Sequence, residues 1–242
     1  MITTILFDLG GTLWDDYLSV QATWEDIKQE LSEVGIRLSD SKFKELVNFG
    51  IQSYSPSLTR AIVWQAVKGN YKLYQRILRR VISKLKARMR EDFFKYNKLY
   101  AGVIGLLEEL KGKYLLAVAS NNFADAREWL DKFGLTGFFS DVTLSEEIWL
   151  FKPDLRFYEY ILNKLSAKPE ESMMVGDRLD NDIFPANRLG MTTVRVISDP
   201  FRVQKPRYHV DQPDFTIKNV TMLPQVLKLI NAGLSAKAEP VD

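Results

Sequence analysis

Ile5-Leu6-Phe7-Asp8-Leu9-Gly10-Gly11-Thr12-Leu13 is the stretch that decides how this chain is read. A short apolar run ends at a carboxylate, and a glycine turn follows at once. Such a run reads as a strand buried on both faces of a parallel sheet, with its C-terminal end opening into a site. Ligands of open α/β sheets bind outside those strand ends. Asp8 therefore stands where a carboxylate can act. Gly10 stands where a second acid is expected.

Working outward, Ile2–Asp8 is the first strand of a series. Leu115–Ser120, Met173–Gly176 and Thr192–Val196 read the same way, and Phe215–Ile217 is a weaker fifth. Between them lie helical patterns. Their apolar faces are Val103, Leu106, Leu107 and Leu110; then Trp129, Leu130 and Phe133; then Phe157, Tyr158, Ile161, Leu162 and Leu165; then Ile183, Ala186 and Leu189. Strands alternating with helices predict an α/β fold, a doubly wound, Rossmann-like parallel sheet with right-handed crossovers.

One segment breaks the alternation. From residue 15 to 98 helical periodicity dominates. Val20, Trp24, Ile27, Leu31 and Val34 form one stripe, and Trp64, Val67, Tyr71, Tyr74, Leu78, Val81 and Leu85 form another. Both are faces of amphipathic helices. A stretch this long is no ordinary loop. The expected organisation is a core of residues 1–14 plus 99–232, an all-helical domain over 15–98, and a small, polar tail over 233–242. The helical lobe leaves and re-enters the core near Asp8, so it is expected to roof the site.

The bulk composition is that of an ordinary globular chain, 46% hydrophobic and 26% charged. The net charge of +2 gives no global case for nucleic-acid or membrane binding. There is no cysteine, which excludes disulfides and thiolate chemistry. The N-terminus lacks a basic region and a signal-like apolar stretch, and no apolar run approaches the ~20 residues that span a bilayer. The expectation is a cytoplasmic protein; nothing in the sequence bears on its oligomeric state.

Three further spots sit at or just after strand ends. They are Ser120-Asn121-Asn122, then Phe151-Lys152-Pro153-Asp154 ahead of a helix, then Gly176-Asp177-Arg178-Leu179-Asp180-Asn181-Asp182. In a parallel sheet these ends converge on one rim with Asp8. Clustered carboxylates raise one another's pKa unless a cation sits among them. Mg²⁺ suits such a place, since it takes hard oxygen ligands. Thr12, Ser120, Asn121 and nearby backbone N–H groups are the expected contacts to a phosphate, and Lys152 can neutralise phosphate and carboxylate together. This is a set for nucleophilic displacement at phosphorus.

The four motifs, in this order, resemble those of the haloacid dehalogenase superfamily, whose members are mostly Mg²⁺-dependent phosphatases. The resemblance spans nearly the whole chain, and the 15–98 insertion sits where that family carries a helical cap. It implies Asp8 as nucleophile, Ser120 as the second-motif hydroxyl and Lys152 as the third-motif lysine. Asp177 and Asp182 match the acids of a Gly-Asp-x-x-x-x-Asp motif. It further implies a metal held by Asp8, the Gly10 carbonyl and Asp177, with Asp182 close by or acting through water. The substrate would be a small phosphorylated metabolite.

Gly10 departs from the family's Asp-x-Asp-Gly-Thr pattern, in which the second Asp is the general acid and base. Its loss implies slow or atypical turnover, since a positioned acid/base is worth about 10²–10⁴-fold. Two alternatives stand beside the phosphatase. Family dehalogenases also lack the second acid, and they use no metal. A non-catalytic protein binding a phosphorylated ligand or a partner would retain the motifs without turnover.

The remaining signals are weaker. Lys68, Lys72, Arg76, Arg79, Arg80, Lys84, Lys86, Arg88 and Arg90 form a basic run that reads as a solvated helix face, with steering of an anionic substrate as the sharper reading. No motif supports nucleic-acid binding. The loop 198–214 starts on the active-site rim and carries the chain's only histidine, His209, a weak candidate for a missing base. Trp14, Trp24 and Trp64 read as packing residues.

Overall fold

A computed structural model describes residues 1–233 of the chain. The tail expected over 233–242 lies, beyond Gly233, outside the described residues. The fold divides into two compact units, residues 1–15 together with those from Leu99 onward, and Asp16–Lys98.

The larger unit is built on a six-stranded sheet. Its strands are β1 (Thr4–Phe7), β4 (Leu115–Ser120), β5 (Asp141–Leu144), β6 (Ser172–Gly176), β7 (Thr192–Val196) and β8 (Phe215–Ile217). Two short strands, β2 (Trp14–Asp15) and β3 (Lys98–Leu99), pair separately where the chain passes between the units. The sheet order is β5-β4-β1-β6-β7-β8, and every pairing is parallel. From β1 the chain winds outward through β4 and β5, then crosses to β6 on the other side. The order therefore reverses at β1, and the crevice at its C-terminal end is where such sheets bind ligands.

Both faces of the sheet are covered. Leu6, Ala117, Ala119 and Met174 pack against Phe157, Tyr158, Ile161 and Leu162. Those four aromatic and aliphatic residues are the inner stripe of the helix Leu155–Leu165, which Asp154 caps by accepting from the Arg156 N–H. Ala186 of the helix Phe184–Leu189 joins the same cluster. On the opposite side of the pleat Ile5, Phe7, Val118, Met173 and Val175 are equally inaccessible to water. That is why these strands read as near-continuous apolar runs rather than alternating ones.

One strand of the six-stranded sheet escaped the sequence reading, as did the short pair Trp14–Asp15 and Lys98–Leu99. Asp141–Leu144 alternates polar and apolar residues because it is an edge strand. Its polar side chains are internally satisfied: Thr143 Oγ1 donates to Asp141 Oδ2 at 2.6 Å, and Lys164 pairs with the same carboxyl group.

The smaller unit holds helices Tyr17–Glu33, Asp40–Gln52, Leu58–Ala66, Tyr71–Glu91 and Phe93–Tyr96. Ser39, Ser57 and Asn70 cap three of them through side-chain oxygens. The stripe from Trp64 to Leu85 is not one helix. Lys68 and Gly69 take left-handed φ values of 50° and 77°, which end one helix before Asn70 caps the next. Trp64 and Tyr71, expected on a buried face, are 42% and 61% exposed and edge or stack against Tyr74. Part of the basic run is structural. Arg80 and Lys84 both reach the buried Glu30 at 2.8 and 2.9 Å, and Arg88 pairs with Asp26, which ties the fourth helix to the first. No described helix is long and apolar enough to cross a membrane.

The central strand supports everything else in the larger unit. Leu6→Ala is expected to lower unfolding free energy by about 2–5 kcal/mol, read by urea denaturation, because Leu6 is fully enclosed and a cavity would remain.

Candidate active site

Four charged side chains meet at the C-terminal rim of the sheet. Asp8 leaves β1 directly, and its N–H is held by the Val175 carbonyl of β6 at 2.9 Å. Phe7 is in register with Val175, so Asp177 lies just beyond the same rim. Asp182 closes the wide π-helical turn Leu179–Ile183 that follows β6. Oxygens of Asp8, Asp177 and Asp182 all lie within 4.8 Å of one another. Lys152, only 1% exposed, sends its Nζ between two of them, 3.1 Å from Asp8 Oδ1 and 2.6 Å from Asp182 Oδ1.

The backbone around these groups is shaped for close approach. A Cβ on Gly176 would stand 2.4 Å from the Asp182 carboxyl, so only glycine fits beneath that acid. A Cβ on Gly11, whose φ is +67°, would stand 2.6 Å from Asp177 Oδ2. Lys152 is fixed from behind. The Asn121 side chain accepts from the Lys152 N–H and donates to its carbonyl, both at 2.8 Å. Tyr158 Oη donates to the Asn181 carbonyl at 2.6 Å and so pins the acidic turn to the helix below it.

The expected residues divide as follows. The structure brings Asp8, Lys152, Asp177 and Asp182 together. Ser120 ends β4, whose Val118 is in register with Phe7, so it lies at the same rim. Asn121 spends its side-chain amide on Lys152 rather than turning it toward a ligand. Thr12 is fully buried and its Oγ1 has no partner, which is the position of a turn residue rather than of an open contact. Gly10 is half-buried in the turn, bridged to Trp14. Asp180, the neighbour that could have competed with Asp182, is instead claimed by Arg178 through Nε and Nη2 at 3.0 and 2.6 Å. His209 is exposed and lines a cleft with Gly190 and Thr192, at the start of β7 and away from the catalytic ends of the strands.

Sequence reasoning missed the hydroxyl that holds Asp177. Ser198 Oγ donates to Asp177 Oδ2 at 2.7 Å and is itself buried. The available signal was its position, two residues beyond a strand end. The loop it opens is bound to the acidic turn. Arg195 donates to the carbonyls of Phe201 and Gln204, Gln204 Oε1 accepts the Leu179 N–H, and Arg178 stacks 4.3 Å from the Phe201 ring centroid.

The electrostatics leave the acids short of positive charge. Burial pushes Asp182 up to about 6, Lys152 opposing the rise and Asp8 adding to it. Burial, then Asp182 and Asp8, lift Asp177 well above the usual carboxylate range, against the Ser198 hydrogen bond. Burial alone would lower Lys152, but Asp182 and Asp8 outweigh it and raise its pKa, so the ammonium stays charged. With all three acids ionised, one ammonium leaves a formal charge of −2. An all-oxygen donor set carrying that excess fits a hard divalent cation such as Mg²⁺.

An α/β sheet with a carboxylate cluster at its switch point defines the class as a Rossmann-like enzyme core. The model for the haloacid dehalogenase-like hydrolases matches residues 2–190. The chain is 30% identical over 240 residues to a glyceraldehyde 3-phosphate phosphatase of Methanopyrus kandleri, covering 94% of this chain and 98% of the relative. It is 26% identical over 218 residues to a phosphoglycolate phosphatase of Aquifex aeolicus, covering 88% and 94%. Among solved structures, a predicted phosphoglycolate phosphatase from Haemophilus somnus has the same fold, with a TM-score of 0.72 at 21% identity over 93% of this chain and 98% of that one. The chain belongs to the haloacid dehalogenase-like hydrolase family, and it is an enzyme.

Asp177 and Asp182 bind protons more tightly folded than unfolded. Between about pH 4 and the folded values the unfolded chain has shed protons that the native state keeps, so the metal-free protein loses stability as pH rises through that window. A cation that replaces those protons removes the loss. The rise in melting temperature that Mg²⁺ gives over chelator should be larger at about pH 7.5 than at about pH 5. An equal rise at both would show that the acids are not where the ion binds.

Proposed function

We propose that the protein is a phosphatase for a small phosphorylated metabolite, with Asp8 as the nucleophile. The observation that carries this reading is the Lys152 ammonium seated between Asp8 and Asp182, with Asp177 in reach of both. Phosphatases of glyceraldehyde 3-phosphate and phosphoglycolate among the relatives support it and supply the first substrates to try.

The chemistry follows from which group remains accessible. Asp182 is fully buried, and its two oxygens are taken by Lys152 Nζ and the Arg178 N–H. Asp177 is held by Ser198. Asp8, at 13% side-chain exposure, is the most open of the three. Its carboxylate oxygen attacks phosphorus, the bond from phosphorus to the substrate oxygen breaks, and the phosphoryl group passes to Asp8. Water then attacks the same phosphorus and releases phosphate, which restores the carboxylate. Lys152 stays charged next to the nucleophile and offsets the growing negative charge on the phosphoryl oxygens. Ser120 and the backbone N–H groups after β4 hold those oxygens. Mg²⁺ would be held by Asp8, the Gly10 carbonyl and Asp177, with Asp182 behind, and would supply the charge that lets one anion approach another.

Gly10 sets the rate. No carboxyl at this position can protonate the departing oxygen or activate the water, so both half-reactions run without it. The excess of acids does not suit the metal-free dehalogenase alternative, which has no use for Asp177 and Asp182 as a charge trap.

p-Nitrophenyl phosphate, glyceraldehyde 3-phosphate and phosphoglycolate should be hydrolysed slowly with Mg²⁺, and neither in chelator nor by Asp8→Asn. Gly10→Asp should raise turnover at least ~10-fold, toward the range a positioned acid/base supplies. Activity that survives Asp8→Asn would sink the nucleophile assignment. Haloacid turnover unaffected by chelator would replace the phosphatase reading with the dehalogenase one.

A further inference from the structure

The loop after β7 is a part of the site that the motifs do not account for. Ser198 opens it, two residues past Val196, and its own carbonyl accepts the Arg202 N–H, so its backbone is fixed in a turn. Arg195, the penultimate residue of the same strand, is buried and donates to three carbonyls: Asp177 at 3.4 Å, Gln204 at 3.1 Å and Phe201 at 2.8 Å. One guanidinium thereby links the backbone of Asp177 to both sides of the loop. The Ser198 hydroxyl reaches the other end of the same aspartate, donating to Oδ2 at 2.7 Å. Directly opposite stands Gly11, where an added Cβ would come within 2.6 Å of both Asp177 Oδ2 and Ser198 Oγ. The carboxylate is bounded by a hydroxyl and a bare glycine, while the guanidinium holds the main chain of the same residue.

We propose that Ser198 is a positioning residue that presents Asp177 to a divalent cation. Holding Oδ2 fixes the carboxylate rotamer before any ion arrives, so the ion need not order the side chain on binding. Partners of this kind orient ligands and typically change metal affinity about 10–100-fold. The proposal rests on the cation reading of the acidic cluster, but not on the phosphatase activity. Its effect appears as binding of Mg²⁺ in the absence of substrate.

The experiment is calorimetric titration of Mg²⁺ into the full-length wild type, Ser198→Ala, Ser198→Thr and Asp177→Asn, with melting temperatures in chelator recorded for each. Ser198→Ala should weaken Mg²⁺ binding about 10-fold or more. Its melting temperature in chelator should stay near that of the wild type. Ser198→Thr keeps the hydroxyl and should recover most of the affinity, and Asp177→Asn should bind weakest. Wild-type affinity in Ser198→Ala overturns the proposal, as does a loss in Ser198→Thr equal to that in Ser198→Ala. A wild type that binds no Mg²⁺ overturns the cation reading itself, and a wild type that binds Mg²⁺ yet hydrolyses no phosphate ester fails the phosphatase reading alone.

Discussion

The buried ammonium of Lys152 is the constraint on which the rest of the site depends. Moving such a group out of water costs several kcal/mol, and the cost is met only by close opposite charge and satisfied hydrogen bonds. Here two carboxylates meet it, and they come from different strand ends, Asp8 from β1 and Asp182 from the turn after β6. The pairing therefore demands the β1–β6 register, the bare backbone of Gly176 under Asp182 and the Asn121 amide clasping the Lys152 main chain. Change any of these and a charge is left buried without its partner. That penalty is larger than the value of the ion pair itself.

Much of this was legible in the sequence because burial writes itself into composition. Leu115–Ser120 and Thr192–Val196 were read at their observed limits, since inner strands covered on both faces carry mostly apolar residues, and the edge strand Phe215–Ile217 was read from its two buried apolar residues, Phe215 and Ile217. The acids were legible for a related reason. A carboxylate just past such a strand, followed by glycine or by a second acid, has few structural uses. Asp141–Leu144 was not legible because two of its four buried residues, Asp141 and Thr143, are polar and satisfy each other. The break at Lys68–Asn70 was hidden because the apolar stripe continues in phase across it, and only the left-handed backbone reveals two helices.

The residues around the site were harder, and for one physical reason. Ser198, Arg195, Asn121 and Tyr158 act through atoms contributed by segments remote in sequence: Ser198 and Arg195 on Asp177, Asn121 on Lys152, Tyr158 on Asn181. Periodicity and motif spacing report local order and strand-end chemistry, but not which distant backbone a side chain will meet. His209 errs in the opposite direction. Its residue type suggested a base, yet the loop that begins at the rim carries it back to the other end of β7.

Gly10 separates two functions that a phosphotransfer site usually combines. One is electrostatic: gathering anions around a cation, which on the proposed reading falls to Asp8, Asp177, Asp182, Lys152 and the Ser198 contact. The other is proton transfer at the departing oxygen, which needs an acid beside the nucleophile. On the proposed reading the first is present and braced from behind, and residue 10 does not supply the second. A fourth carboxyl at that position would also change the charge balance, since the existing excess of −2 is what one divalent ion cancels. On the proposed reading, glycine leaves the charge of the site matched to a divalent cation and removes only the proton donor. On this account the electrostatic half can be measured by ion binding, independently of any substrate, and the proton-transfer half by how turnover responds to the leaving group.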